Sequence, residues 1–481
     1  LGYTNDPTTF KNRSTPAPST RSMACKAQTS GRIYLHSGPR TELHEIIRQE
    51  YARHQDRAVP RNTLRQAVQG MLDTFAYQNF DAAAGEYTNR CCRPPRETEM
   101  RPWRLVTEIG WTGGGVLAYP LVLCRDALGA DAEAPLAAAM SGEQLFDRIA
   151  DAYNENSGLL NDLMAPNAAG SQVNGWWTGY GLVKDCHCAY TVGSAVHYLT
   201  KTMDYLHQNG KPCPAKWMDA AQKVLHTVMD LQRADGAFGY TYSTQERKVL
   251  DWSGFAGCWF APALVYLYRL TGEERCLHSA EKALDYYHTF VKDLNCYGTP
   301  MDTWKAVDEE GNLAFMRGSR LLYEQTGKAE FLQYMKDSAG YEFLWRYGYK
   351  TYPEHTPLNQ GWSACGGAVT SVSNPHIHPM GVIIDTDLRY LARVTGDGYY
   401  ASRAADSAAW MLQCLELYPA ATGYGRYGIL SERWCPSDGL DVERFSDGRP
   451  FSSWFSHNLW ASACVLEAAC ELLLEIEHKK G

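Results

Sequence analysis

Four carboxylates crowd one short stretch of this chain: Asp302, Asp308, Glu309 and Glu310, with Trp304 and Lys305 among them. Acids packed this closely repel one another, and that repulsion can lift one pKa into the range of a general acid. Asp302 comes first and stands beside Trp304, so it is the leading candidate for a proton donor. Asp308 to Glu310 fall where a helix begins, and there the helix dipole explains an acid equally well. A second carboxyl, acting as base or nucleophile, has three candidates: Glu108, Asp185 and Asp251. His376 and His378 lie two residues apart in Asn374-Pro-His376-Ile-His378-Pro. The prolines stiffen this backbone, and an imidazole there suits a general base or a contact to a hydroxyl. Two histidines spaced in this way chelate poorly, so no metal is expected.

Aromatic residues occupy the same kind of loop: Trp111, Trp176, Trp177, Tyr240, Trp252, Trp304 and Trp454. Their faces stack on the C–H faces of sugar rings, while carboxylates and amides bond the hydroxyls. Cleaving a glycosidic bond needs two carboxyls flanking it. The implied function is a glycoside hydrolase acting on a glycan or oligosaccharide, one containing uronic acid included. A polysaccharide lyase is the first alternative. It would take His376, His378, Tyr240 or Tyr242 as base and Asn374, Arg317 or Arg426 to neutralise a uronate carboxylate. The second is a non-catalytic glycan-binding or scaffold subunit. The plain structural reading is that the aromatics seal one end of the fold and the acids cap its helices.

The elements that must position these loops are helical. Three apolar segments end alike, at Thr271-Gly272, Thr326-Gly327 and Thr395-Gly396, and each is followed at once by an amphipathic run. The glycines are 55 and 69 residues apart, room for two helices and a long loop. A period of this kind marks a repeat architecture. Amphipathic helices are expected near 63–78, 143–155, 217–231, 275–292, 329–347 and 399–417. In the clearest, Trp217, Ala221, Val224, Leu225, Val228 and Leu231 form one stripe. Segments apolar on every side, which belong in a core, lie near 108–128, 186–207, 254–270, 309–325, 379–394 and 455–476. Six outer and six inner helices in strict alternation predict an all-α (α/α)6 toroid over residues 59–481. Residues 1–58, rich in Thr, Ser, Pro and Arg at the start, read as an extended arm or linker. The short links leave the inner helices and the long loops enter them, so the functional loops gather at one mouth. Tetratricopeptide-type solenoids have shorter repeats with short loops on both sides.

Net charge is -8 with no basic cluster, which argues against a nucleic-acid partner. No apolar run reaches the roughly 18 residues of a membrane span. Many of the 15 cysteines, Cys124, Cys258, Cys276, Cys414, Cys464 and Cys470 among them, sit inside apolar segments, as small hydrophobes in a reducing compartment do. A cytoplasmic location follows, with secretion left open because the chain starts at Leu1. No cofactor is indicated, and the oligomeric state is not fixed.

With its helix count, Trp-Gly loops, Asp235-Gly-Ala-Phe238-Gly and Thr-Gly turns, the chain resembles the six-hairpin glycosidase-type superfamily over about residues 60–480. That group includes unsaturated glucuronyl hydrolases, other glycoside hydrolases and toroid polysaccharide lyases. The resemblance implies a carbohydrate-active toroid. It transfers no catalytic motif.

Overall fold

Helix-capping chemistry repeats through the chain and sets its architecture. In a computed structural model, Thr271, Thr326 and Thr395 each donate a hydroxyl hydrogen bond to the carbonyl four residues back, at 2.8, 2.7 and 2.6 Å. Each hydroxyl also accepts the amide two residues on, at 3.2, 3.2 and 3.3 Å. Gly272, Gly327 and Gly396 between them adopt φ of 73°, 65° and 70°. The left-handed residue stops one helix, and the threonine ties that stop to the N-cap of the next. The structure describes residues 33–35, 37–54, 57–83, 85–91, 101–104, 107–110, 114–129, 140–164, 172–173, 175–177, 182–298, 305–350, 363–372, 374–415, 417, 428, 430, 432, 434, 456–457 and 459–478.

The outer helices are α2 (Leu64–Thr74), α4 (Gly142–Asp151), α6 (Ala215–Asp230), α8 (Glu274–Lys292), α10 (Ala329–Trp345) and α12 (Gly398–Cys414). Capping boxes open α2 (Thr63 with Gln66) and α4 (Ser141 with Gln144). The inner helices are α3 (Gly115–Leu128), α5 (Ala189–Gln208), α7 (Phe260–Thr271), α9 (Glu310–Thr326), α11 (Asp385–Thr395) and α13 (Leu459–His478). Contacts run α3 to α5, α7, α9, α11, α13 and back to α3, so the inner ring is closed. This is the expected (α/α)6 toroid. The stripe on α6 packs as its spacing predicts, with Trp217, Ala221, Val224, Leu225 and Val228 fully buried. Cys124, Cys258, Cys276, Cys414, Cys464 and Cys470 are likewise buried among helices. Among the described residues, no helix is long and apolar enough to cross a membrane.

Two details differ from the sequence reading. Within the segment read as an arm or linker, Leu43–Arg53 forms a helix, α1, that packs on α10. Arg48 clamps Asp397 with two hydrogen bonds of 2.6 and 2.9 Å, and Tyr51 bonds Asp406 at 2.7 Å. Inner helices α3, α7 and α11 start later than expected: Thr107–Glu108 is a strand, and 3-10 turns at Ala256–Trp259 and Met380–Ile384 precede the other two. Small antiparallel sheets frame the mouth. One joins Cys186–Cys188, Thr241–Ser243 and Val249–Asp251, and another joins Ala368–Ser371 with Asn374–His378.

Candidate functional site at the toroid axis

The acid run at the start of α9 splits three ways. The chain passes from a β-bridge at Asp308 through the N-cap Glu309 to the first helical residue, Glu310, so neighbouring acids face different surroundings. Asp308 caps the helix, its carboxylate accepting the Gly311 amide at 3.2 Å. It is anchored by its own amide to the Cys296 carbonyl, and its carbonyl accepts the Tyr341 hydroxyl at 2.6 Å. Glu309 turns toward α10 and meets Glu342. Glu310 turns to the inside of the ring, where the Tyr190 hydroxyl bonds to its carboxylate.

That contact lies on the axis. Tyr190 comes from α5, Glu310 from α9, and Cys464, whose thiol senses both, from α13. No two of these helices are neighbours in the ring, so their side chains meet only across its centre. Met380 Sδ lies 3.9 Å from the Tyr190 hydroxyl, and the Trp259 ring packs 5.7 Å from the Tyr190 ring. Glu310 keeps 7% of its surface accessible. Burial, and then the Glu310 charge, hold the Tyr190 phenol well above its usual range, so it stays a hydrogen-bond donor.

An ionic layer closes the axis beneath. Lys201 pairs with Glu467 and with Glu471 at 2.8 Å, and the Tyr198 hydroxyl bonds Glu467 at 2.9 Å. Arg317 binds Asp387 through Nε at 2.8 and 2.9 Å and the Ile383 carbonyl at 3.0 Å. Arg317, expected as a substrate contact, is buried, with its guanidinium engaged by Asp387 and the Ile383 carbonyl.

The rim separates the other candidates. Asp251 pairs with Lys305 at 2.5 Å and accepts the Ser253 hydroxyl at 2.7 Å. Partial burial opposes its ionisation, but those bonds outweigh it and hold the carboxyl below its usual range. A carboxylate held ionised in this way is a poor proton donor. Asp185 is exposed at φ 60°, on the turn leading into Cys186–Cys188. Tyr240 lies under the Lys305 ammonium, 4.8 Å from its ring centre, and is only 1% exposed. The ring expected as a sugar platform thus packs in the core. Trp252 is half-buried, with the Arg233 guanidinium 5.2 Å from its ring. His378 is buried 5.8 Å from the Trp460 ring at the start of α13. His187 bonds Ser157 at 2.9 Å, and burial lowers its pKa to about 4.

Asp302, Trp304, Trp111, Trp454 and Arg426 lie outside the described residues, as do the side chains of Glu108, Trp176, Trp177, Asn374 and His376. A cleft shared by Asp302 and His376, as loops gathered at one mouth would form, therefore lies outside them too. Among the described residues, no group of three His, Cys, Asp or Glu is placed to hold a metal ion. Sequence reasoning missed Tyr190 altogether and assigned Glu310 to the helix dipole. The signal for Tyr190 was a lone phenol at the head of an apolar inner helix.

No protein-family model matches the sequence, and no curated protein is similar to it. Solved structures do share its fold. A sugar epimerase from a ruminal bacterium superposes with a TM-score of 0.55 at 10% identity, covering 90% of this chain and 99% of its own. Cellobiose 2-epimerase from Spirochaeta thermophila gives 0.56 at 13%, covering 92% and 100%. A family 76 glycoside hydrolase, a mannosidase from Bacteroides thetaiotaomicron, gives 0.53 at 13%, covering 86% and 99%. At these identities the likeness is one of fold.

Proposed function

We propose that this (α/α)6 toroid is a carbohydrate-active enzyme working at its axis, and that the reaction is glycoside hydrolysis. One observation carries the reading: a carboxylate, Glu310, is held by a phenol, Tyr190, at the centre of the ring, with 7% of the Glu310 surface accessible. Trp259 stands beside the pair, and Trp460 lies at the head of α13. Hydrolysis needs a second carboxyl across the glycosidic bond. Asp302, eight residues before Glu310 in the loop entering the same helix, is the proposed partner. The substrate is then a glycan or oligosaccharide. Proteins of this fold named as mannosidase and as sugar epimerases support a sugar as the substrate class.

A second reading is epimerisation or isomerisation of a sugar. It is favoured by the pair itself, since a carboxylate bonded to a phenol can take a proton from one carbon, breaking its C–H bond, and return it there or at the next without cutting the glycosidic bond. A panel of neutral and uronate-bearing oligosaccharides, followed by proton NMR, separates the readings. Hydrolysis produces new reducing ends, epimerisation changes one sugar into another at constant reducing ends, and a lyase leaves a product absorbing in the near ultraviolet. No change in any substrate removes the enzyme reading and leaves the binding subunit.

A further inference from the structure

Outside the ring, away from the axis, α1, the C-terminal end of α10, α12 and the Ala368–Ser371 strand enclose a cavity of about 450 Å³. That lies within the roughly 300–1,000 Å³ of small-molecule sites. Its walls are aromatic, from Tyr51, Phe343, Trp345, Tyr347 and Tyr349, with Glu50, His54 and Ser371 supplying polar groups. Leu344, Tyr349 and Val372 at the cavity are exposed large hydrophobic residues, a type that usually marks a surface waiting for a partner when clustered.

Arg403 forms part of the cavity lining and is fully buried. It donates to the Arg346 carbonyl at 2.7 Å and to the Tyr399 hydroxyl at 3.3 Å, while its Nε finds no partner. A guanidinium carries five N–H donors. The acids nearby are committed elsewhere: Asp406 to Tyr51 and Arg57, Glu342 and Asp385 to Arg346, Glu50 to Arg53. The charge is cushioned by the Phe343, Tyr51 and Tyr399 rings, 4.3, 4.8 and 5.9 Å away. Burial and the neighbouring Arg346 charge pull its pKa below the ordinary value. A buried arginine without a carboxylate is costly to the fold. Gly348 leaves the approach clear, since a Cβ there would sit 3.5 Å from Arg403 Nη1 and 3.2 Å from the Tyr51 ring.

We propose that this cavity is a second binding site, for a sugar acid whose carboxylate pairs with Arg403 and whose ring packs on the aromatic walls. The anion supplies the missing counter-charge, and the polar groups suit hydroxyls.

Isothermal titration with glucuronate, glucose, benzoate and inorganic phosphate tests this. Wild type should bind glucuronate saturably, and glucose, benzoate and phosphate at least tenfold more weakly. Arg403→Gln should weaken glucuronate tenfold or more. Val372→Trp, which fills the cavity from its rim without touching the arginine, should do the same and keeps the test intact if Arg403→Gln does not fold. Equal affinity for glucose shows that charge is not read. Equal affinity for phosphate or benzoate shows that the hydroxylated ring is not. Either result overturns the proposal, as does absence of glucuronate binding or wild-type binding by Val372→Trp. Because the readout is binding at Arg403, it is independent of turnover at the axis.

Discussion

Glu309 and Glu342 face each other in a fully buried pocket between α9 and α10, and Arg346 is the cation that bridges Glu342 to Asp385. Neither oxygen of Glu309 has a donor partner, and one oxygen of Glu342 is likewise unbonded. A proton on Glu309, donated to Glu342, satisfies both. Burial, then the Glu342 charge, hold Glu309 well above the usual carboxylate range. Gly381 is required beside the pair, since a Cβ there would lie 2.3 Å from Glu309 Oε1.

The pair sets a pH dependence. A carboxyl whose folded pKa is raised contributes stability that is complete below its unfolded value of 4.5 and is lost as pH rises through the folded value. Asp385, lifted by burial to about 6, adds the same sign between 3.8 and 6. Urea unfolding at several pH values should show this falling component above pH 4.5, set against the rising one from buried His187 between about 4 and 6.5. Glu309→Gln keeps a donor to Glu342 without the titration, so its decline should be shallower and its stability near pH 8 higher than wild type. Parallel curves for the two proteins would show that Glu309 is not protonated in the fold.

Capping by Gly327 gives a second outcome. Nothing lies within 4 Å of where its Cβ would stand, so Gly327→Ala is opposed by the left-handed backbone alone. The expected loss is about 1–2 kcal/mol, read from urea midpoints at constant slope. No loss would mean that the turn relaxes to another conformation.

The ionic floor of the ring responds asymmetrically. Lys201 and Glu467 are 5% and 1% exposed, with Glu471 also on the lysine. Lys201→Met takes the paired cation from buried Glu467 and half-buried Glu471 and should cost about 3–5 kcal/mol. The double variant Lys201→Met with Glu467→Leu should regain part of that loss. A double variant no better than the single one would mean that Glu471 alone governs the site.

Much of this architecture was legible in the sequence because helices announce themselves by period. The Trp217 stripe and the Thr-Gly stops fixed helix order, and the inner ring followed from segments apolar on all sides. Helix α1 escaped because Ile46, Ile47 and Tyr51 are set among polar residues, and its partners Asp397 and Asp406 are some 350 residues away. The site was harder for a geometric reason. Asp308, Glu309 and Glu310 read as one acidic run, yet the change from β-bridge to N-cap to first helical turn sends them to a cap, a buried acid pair and the axis. Which of them faces the axis depends on helix α5, more than a hundred residues earlier.

The central claim is chemistry at the Glu310–Tyr190 pair, and the most direct measurement is turnover of the best oligosaccharide from the panel by Glu310→Gln beside wild type. The variant is nearly isosteric, so its melting temperature should stay close to that of wild type. Its kcat should fall by roughly 10²–10⁴-fold, the usual contribution of a general acid or base, and Asp302→Asn should show a loss of similar order. Wild-type kcat in a folded Glu310→Gln would contradict the account and move the reaction away from the axis.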